Sequence, residues 1–108
     1  MELSQIAKEI YESGKRLENG SKQLFTLSKE MAESEREYRR ALQIEILQLR
    51  DQKVQATLIP DIARGKTSEL KFKRDLAEAR WTSAKQSLEA IKTQMSGLQT
   101  IIKFQEEI

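Results

Sequence analysis

Gly65-Lys66-Thr67 is the first place where residue types and spacing could do chemistry. It has the ending of the phosphate-binding loop G-x-x-x-x-G-K-[ST], whose backbone amides cradle phosphates. The opening glycine of that loop should fall at position 60, which is Pro60, and no strand pattern precedes it. A nucleotide site is therefore not expected. What remains is charge. Arg64, Lys66, Lys71, Lys73 and Arg74 gather in one stretch, and within residues 54–74 only Asp61 and Glu69 oppose them. The chain's small net charge of +2 is thus concentrated there. Five clustered cations suit phosphates or an acidic protein surface. Phe72 among them could stack on a base or pack inward as a cap. The alternative is a solvated, lysine-rich turn.

Other chemistry is limited by what the chain lacks. It has no histidine and no cysteine. That removes the commonest general base, the commonest transition-metal ligand, thiolate chemistry and disulfides. The glutamates occur without the Glu-x-x-His motif of helical di-metal sites. An enzyme would have to use carboxylate, lysine, serine or tyrosine groups in a pocket, and a pair of helices offers no deep concavity. The expectation is a non-enzymatic chain with no metal, no cofactor and no small-molecule substrate. No apolar run approaches a membrane span, and the first residues lack the basic start and apolar run of a signal peptide. Together these point to a cytoplasmic protein with no membrane partner.

The elements that must position these residues are helices. The chain has 108 residues, a third of them charged, with few aromatics, four glycines and one proline. That composition with strong periodicity favours long helices over a compact globule. From Leu3 the large residues Leu3, Ile10, Leu17, Leu24, Met31 and Tyr38 recur every seven positions, which marks a heptad seam. Ala7, Gly14, Ser21 and Ser28 follow four residues later, and their small size would let a partner backbone approach. Asn19-Gly20-Ser21 could stop the helix and cap another, but the seven-residue phase runs through it. Beyond Tyr38 the apolar set widens to Leu42, Ile44, Ile46, Leu47 and Leu49, as expected of a segment covered on two sides. Among the intervening charges, pairs such as Glu35 with Arg39 fit a solvated helix face.

Periodicity lapses after Val54. Pro60 can begin a short helix over residues 60–64, with Gly65 as its left-handed stop and Thr67 as the cap of the next helix. Leu58, Ile59 and Ile62 are too apolar for a free loop and would plug the bend. A second heptad then runs through Leu70, Ala77, Trp81, Ala84, Leu88, Ile91, Met95, Leu98 and Ile102, with Arg74 in the first interval. The expected fold is all-α, one domain: a long antiparallel two-helix coiled coil with helix 1 over residues 3–53, the bend over 54–67 and helix 2 over 68–106.

Folding at the centre of the bend would set Leu42 near Trp81, Tyr38 near Ala84, Met31 near Ile91 and Leu24 near Leu98. Helix 1 would then overhang helix 2. Leu3, Ile6, Ile10, Tyr11 and Leu17 would meet Ile101, Phe104 and Ile108 at an open apolar end. That end is the expected homo-oligomer interface, in a dimer or a four-helix bundle.

Residues 57–65 (TLIPDIARG), 75–81 (DLAEARW) and 97–103 (GLQTIIK) resemble small helical proteins of phages and prophages of Gram-positive bacteria. The likeness covers most of the chain. It implies a phage or prophage origin and, for a phage-encoded chain, the host cell cytoplasm. It implies no established activity, but it raises two roles: interference with host machinery, and work alongside phage replication or recombination. The first reading is thus an interaction protein that oligomerises and binds a macromolecular partner. The second is a nucleic-acid-binding accessory using Arg64, Lys66, Lys71, Phe72, Lys73 and Arg74 at the basic bend.

Overall fold

The computed structural model describes residues 2–107. Three helices make up the fold: α1 (Leu3–Asp51), α2 (Ile59–Lys66) and α3 (Ser68–Glu107), and the two long ones pack against each other. The chain divides into two compact units. One joins Met1–Thr26 with Thr82–Ile108, and the other is Leu27–Trp81.

α1 runs unbroken through Asn19 and Gly20. Its inward face alternates steps of four and three: Ile10, Ser13, Leu17, Gly20, Leu24, Leu27, Met31, Ser34 and Tyr38 are buried or half-buried. The large heptad residues were expected on this face. The small ones were not these: Ala7 and Ser21 are exposed, Ser28 is half-buried, and nothing lies within reach of a side chain built on Gly14. The inward step after each large residue is three, so Ser13, Gly20 and Ser34 take the close-packing positions. The Ser34 hydroxyl is buried because it turns back on its own helix, donating to the carbonyls of Glu30 (2.8 Å) and Met31 (3.1 Å).

In the first unit, α1 and α3 run antiparallel. Gly20 lies against Leu88, where a Cβ would overlap Leu88 Cδ2. Gly20 is therefore a site of close approach, at a cost to helix propensity of about 1 kcal/mol. Ile6 is fully buried and Leu98 nearly so. Here the expected overhang is corrected. Ile6 has its partners within the chain, and Ile10 and Leu17 are half-buried. The reason is register: Gly20 meets Leu88, where the expected register would put Ile102.

In the second unit, the chain reverses earlier than expected. α1 closes with a Schellman motif: the Lys53 N–H donates to Arg50 O (3.0 Å) and the Val54 N–H to Leu49 O (3.1 Å). Lys53 takes the left-handed conformation, with φ of 60°. Gly65 does not, and lies inside α2. Pro60 stands in the first turn of α2, where its missing N–H costs nothing. Ile59 and Ala63 are buried with Leu49, and Leu42, Ile46 and Val54 pack around them. The plug is thus Ile59 with Ala63, while Leu58 and Ile62 stay exposed. Thr67 alone separates α2 from α3. Its N–H donates to Ala63 O (3.1 Å), and its own carbonyl accepts from the Lys71 N–H (3.0 Å). Its hydroxyl also donates to Ala63 O, at 2.8 Å, so it closes α2 rather than capping the amides of α3. Glu69 supplies the negative charge in the first turn of α3.

Because α2 packs along α1 instead of spanning a loop, the reversal falls at residues 52–58. In this unit Lys66 faces Glu45, Lys73 faces Glu37 and Arg74 faces Glu35. Tyr38 accordingly meets Arg74, not Ala84. The second heptad reads as expected: Leu70, Arg74, Ala77 and Trp81 in this unit, and Ala84 to Ile102 in the other, are all buried or half-buried.

Candidate functional site

Each of the five cations singled out by the sequence has a carboxylate partner. Arg64 Nη1 lies 3.2 Å from Asp61 Oδ1, and Lys66 Nζ lies 3.7 Å from Glu45 Oε2. Lys71 Nζ donates to Asp75 Oδ2 at 2.8 Å, and Lys73 Nζ to Glu37 Oε2 at 3.2 Å. Arg74 is a hub. Its guanidinium lies 3.3 Å from Glu35 Oε2 and 2.9 Å from Asp75 Oδ1, and stacks over the Tyr38 ring at 5.0 Å to the centroid. Partners on α1 were invisible in a local count of charge, because they lie more than twenty residues away in sequence. Such pairs are worth little individually. Each sets a carboxylate beside a cation that phosphate would otherwise meet.

Phe72 is exposed. Gly65-Lys66-Thr67 forms no phosphate cradle: Gly65 is helical, Lys66 pairs with Glu45, and Thr67 is buried with its hydroxyl committed to Ala63 O.

The hub has an electrostatic signature. The hydrogen bond from Arg39, helped by Arg74, holds the Glu35 carboxyl below its ordinary range. Lys71 does the same for Asp75, again with help from Arg74. The Asp75 hydrogen bond raises Arg74 further. All three groups stay charged at neutral pH, which favours a fixed structural cluster over a proton-transfer site.

One edge of Leu27–Trp81 carries a shallow groove between α1 and α3, open to solvent. One part is lined by Arg36, Arg40, Ala41, Ile44 and Leu70. The adjoining part is lined by Glu30, Glu33, Lys73, Leu76 and Arg80, and Glu37 belongs to both. Ile44 and Leu76 are half exposed. Glu30, Arg36, Arg40, Glu69 and Arg80 enter none of the ion pairs found among the described residues. The sequence singled out none of these as a site, although Ile44 already stood out as apolar on a second face.

At the other candidate surface, Leu3, Tyr11, Ile101 and Phe104 are exposed, Ile10 and Leu17 are half-buried, Ile6 is buried, and Ile108 lies outside the described residues. Of the residues expected at an oligomer interface, these four remain exposed, while Ile6 belongs to the core. No helix is long and apolar enough to cross a membrane, and no group of three or more acidic residues able to hold a metal occurs among the described residues.

No protein-family model, no curated protein and no solved structure matches this chain.

Proposed function

We propose that the chain is a non-enzymatic interaction protein of phage or prophage type. In this reading it self-associates and docks on a macromolecular partner in the host cytoplasm, inhibiting or adapting host machinery. The observation that carries the reading is the exposure of large apolar side chains on a chain whose clustered cations at residues 64–74 each have a carboxylate partner. Tyr11, Phe25, Phe72 and Phe104 are each more than three-fifths exposed. Aromatic residues left in water on a thin helical structure are the usual anchors of protein–protein contact. The phage attribution rests on the resemblance of residues 57–65, 75–81 and 97–103.

Nucleic-acid binding is the second reading; the ion pairs of Lys66, Lys71, Lys73 and Arg74 support ranking it below the first. The test is capture from host lysate on the immobilised chain, with and without nuclease. Retention of a discrete protein that survives nuclease and is lost on Phe72→Ala or Phe104→Ala supports the reading. Nuclease-sensitive retention lost when Lys71, Lys73 and Arg74 become alanine would replace it with the nucleic-acid reading.

A further inference from the structure

The groove beside Glu37 has a charge order that suits few occupants. Along α1 it runs from acidic, Glu30 and Glu33, to basic, Arg36 and Arg40, with Glu37 between the two arginines neutralised by Lys73. An acidic helix laid in it would meet Glu30 and Glu33 at one end. A basic helix would meet Arg36 and Arg40 at the other. The fitting partner carries the same order reversed, and a second copy of this chain, turned end for end, supplies it.

The residue offsets support that occupant. Glu35 and Arg74 face each other at 3.3 Å and mark one level of the helix pair. On α1, Glu30 stands five residues before that level and Arg40 five after, and Glu33 two before and Arg36 one after. On α3, Glu69 stands five before and Arg80 six after, and Phe72 and Leu76 lie two on either side. A two-fold axis crossing the groove at this level turns each helix antiparallel onto its own copy. Arg40 then faces the second copy's Glu30 at equal and opposite offset, Arg36 comes within one residue of its Glu33 and Arg80 within one of its Glu69, while Glu37, which stands opposite Glu33, is neutralised by Lys73 at 3.2 Å. Leu76 (43% exposed) meets the second copy's Phe72 (66% exposed). Glu30, Arg36, Arg40, Glu69 and Arg80, which enter no ion pair among the described residues of the single chain, thereby gain an opposite charge nearby; Glu33 already has Lys29 at 4.0 Å.

We propose that this groove is the seat of a two-fold homodimer, with the axis at the Glu35–Arg74 level. It deepens the interaction reading above by naming one partner and its face, and it places self-association away from Tyr11 and Phe104.

Sedimentation of the full chain with two charge-reversed variants tests it. Arg36→Glu/Arg40→Glu and Glu30→Arg/Glu33→Arg should each weaken dimerisation by about tenfold or more, because pairs become like-charge contacts. Mixed one to one, the two variants should form a heterodimer as tight as the wild-type homodimer, which also shows that both fold. Helical circular dichroism should be unchanged in each. A wild-type chain that stays monomeric at high micromolar concentration overturns the proposal. So does a mixture that fails to recombine. Variants as dimeric as wild type overturn this face while leaving the interaction reading intact, and a lysate partner captured by a monomeric chain has the same meaning.

Discussion

The two units hold the same pair of helices by different means. In Met1–Thr26 with Thr82–Ile108, the contact is made of shape: Gly20 receives Leu88, Ser13 is buried, and Ile6 is enclosed. The ion pair described there, Glu18 with Lys22, stays within one helix. In Leu27–Trp81, three cations reach across to α1, and the cluster Leu49, Ile59 and Ala63 closes the reversal. Shape without charge gives close approach but little to choose between registers one heptad apart. Charge pairs with an apolar plug fix the register. Each unit thus holds its own stretch of the helix pair by different means.

Truncating the enclosed side chains should break the comparison most severely. Ile6→Ala and Ile59→Ala should each cost about 2–4 kcal/mol in urea unfolding, since each removes a buried side chain and leaves a cavity. The loss at Ile6 should not vary with protein concentration, as it would if Ile6 were buried only in an oligomer.

The glycines sharpen the contrast at a smaller scale. Gly14→Ala should stabilise by about 1 kcal/mol, because the new methyl meets open space and the helix gains propensity. Gly20→Ala should show no such gain, because the methyl must displace Leu88 Cδ2. In a Leu88→Ala background the Gly20→Ala gain should reappear, and the double-mutant cycle measures the coupling.

Lys53→Gly should stabilise by up to about 1 kcal/mol, relieving a left-handed residue with a β-carbon. Thermal unfolding checks it. The opposite outcome would mean that the Lys53 side chain has a role in the turn that its φ does not reveal.

Acid should act on the second unit first, with the smallest effect. Glu35 and Asp75 have carboxyls held below the ordinary range by Arg39 and Lys71, each with help from Arg74. A depressed folded-state value means stability that is present above the ordinary carboxylate range and lost as pH falls through the depressed values. Both groups are only half-buried, so solvent screening keeps the loss slight. It should appear below about pH 4, as a decrease in Tm that is blunted by Arg74→Ala. Trp81, the sole tryptophan, belongs to this unit and offers a local fluorescence readout.

Much of the fold is legible in the residues. The inward stripe of α3 follows from its alternating steps of three and four, and Pro60 announces the start of a short helix. Glu35 with Arg39 could be expected from their spacing alone, and they pair at 2.7 Å. The candidate sites are less legible. The basic stretch looked free because its counter-charges, Glu35, Glu37 and Glu45, lie on another helix. The left-handed turn was expected at a glycine, yet it falls at Lys53, where the Schellman hydrogen bonds and the packing of Val54 on Leu49 hold a lysine in that conformation.

What the sequence by itself determined is which faces turn inward, because a helix converts a spacing of three and four into a stripe. What only the tertiary structure decided is which level of one stripe meets which level of the other. A heptad seam slid by two repeats still matches apolar to apolar, so periodicity cannot distinguish Gly20 against Leu88 from Gly20 against Ile102. The choice was made by the packing of Ile59 and Ala63 on Leu49, which draws α2 alongside α1 and moves the reversal to residues 52–58. Within the Leu27–Trp81 unit, Glu35 stands opposite Arg74.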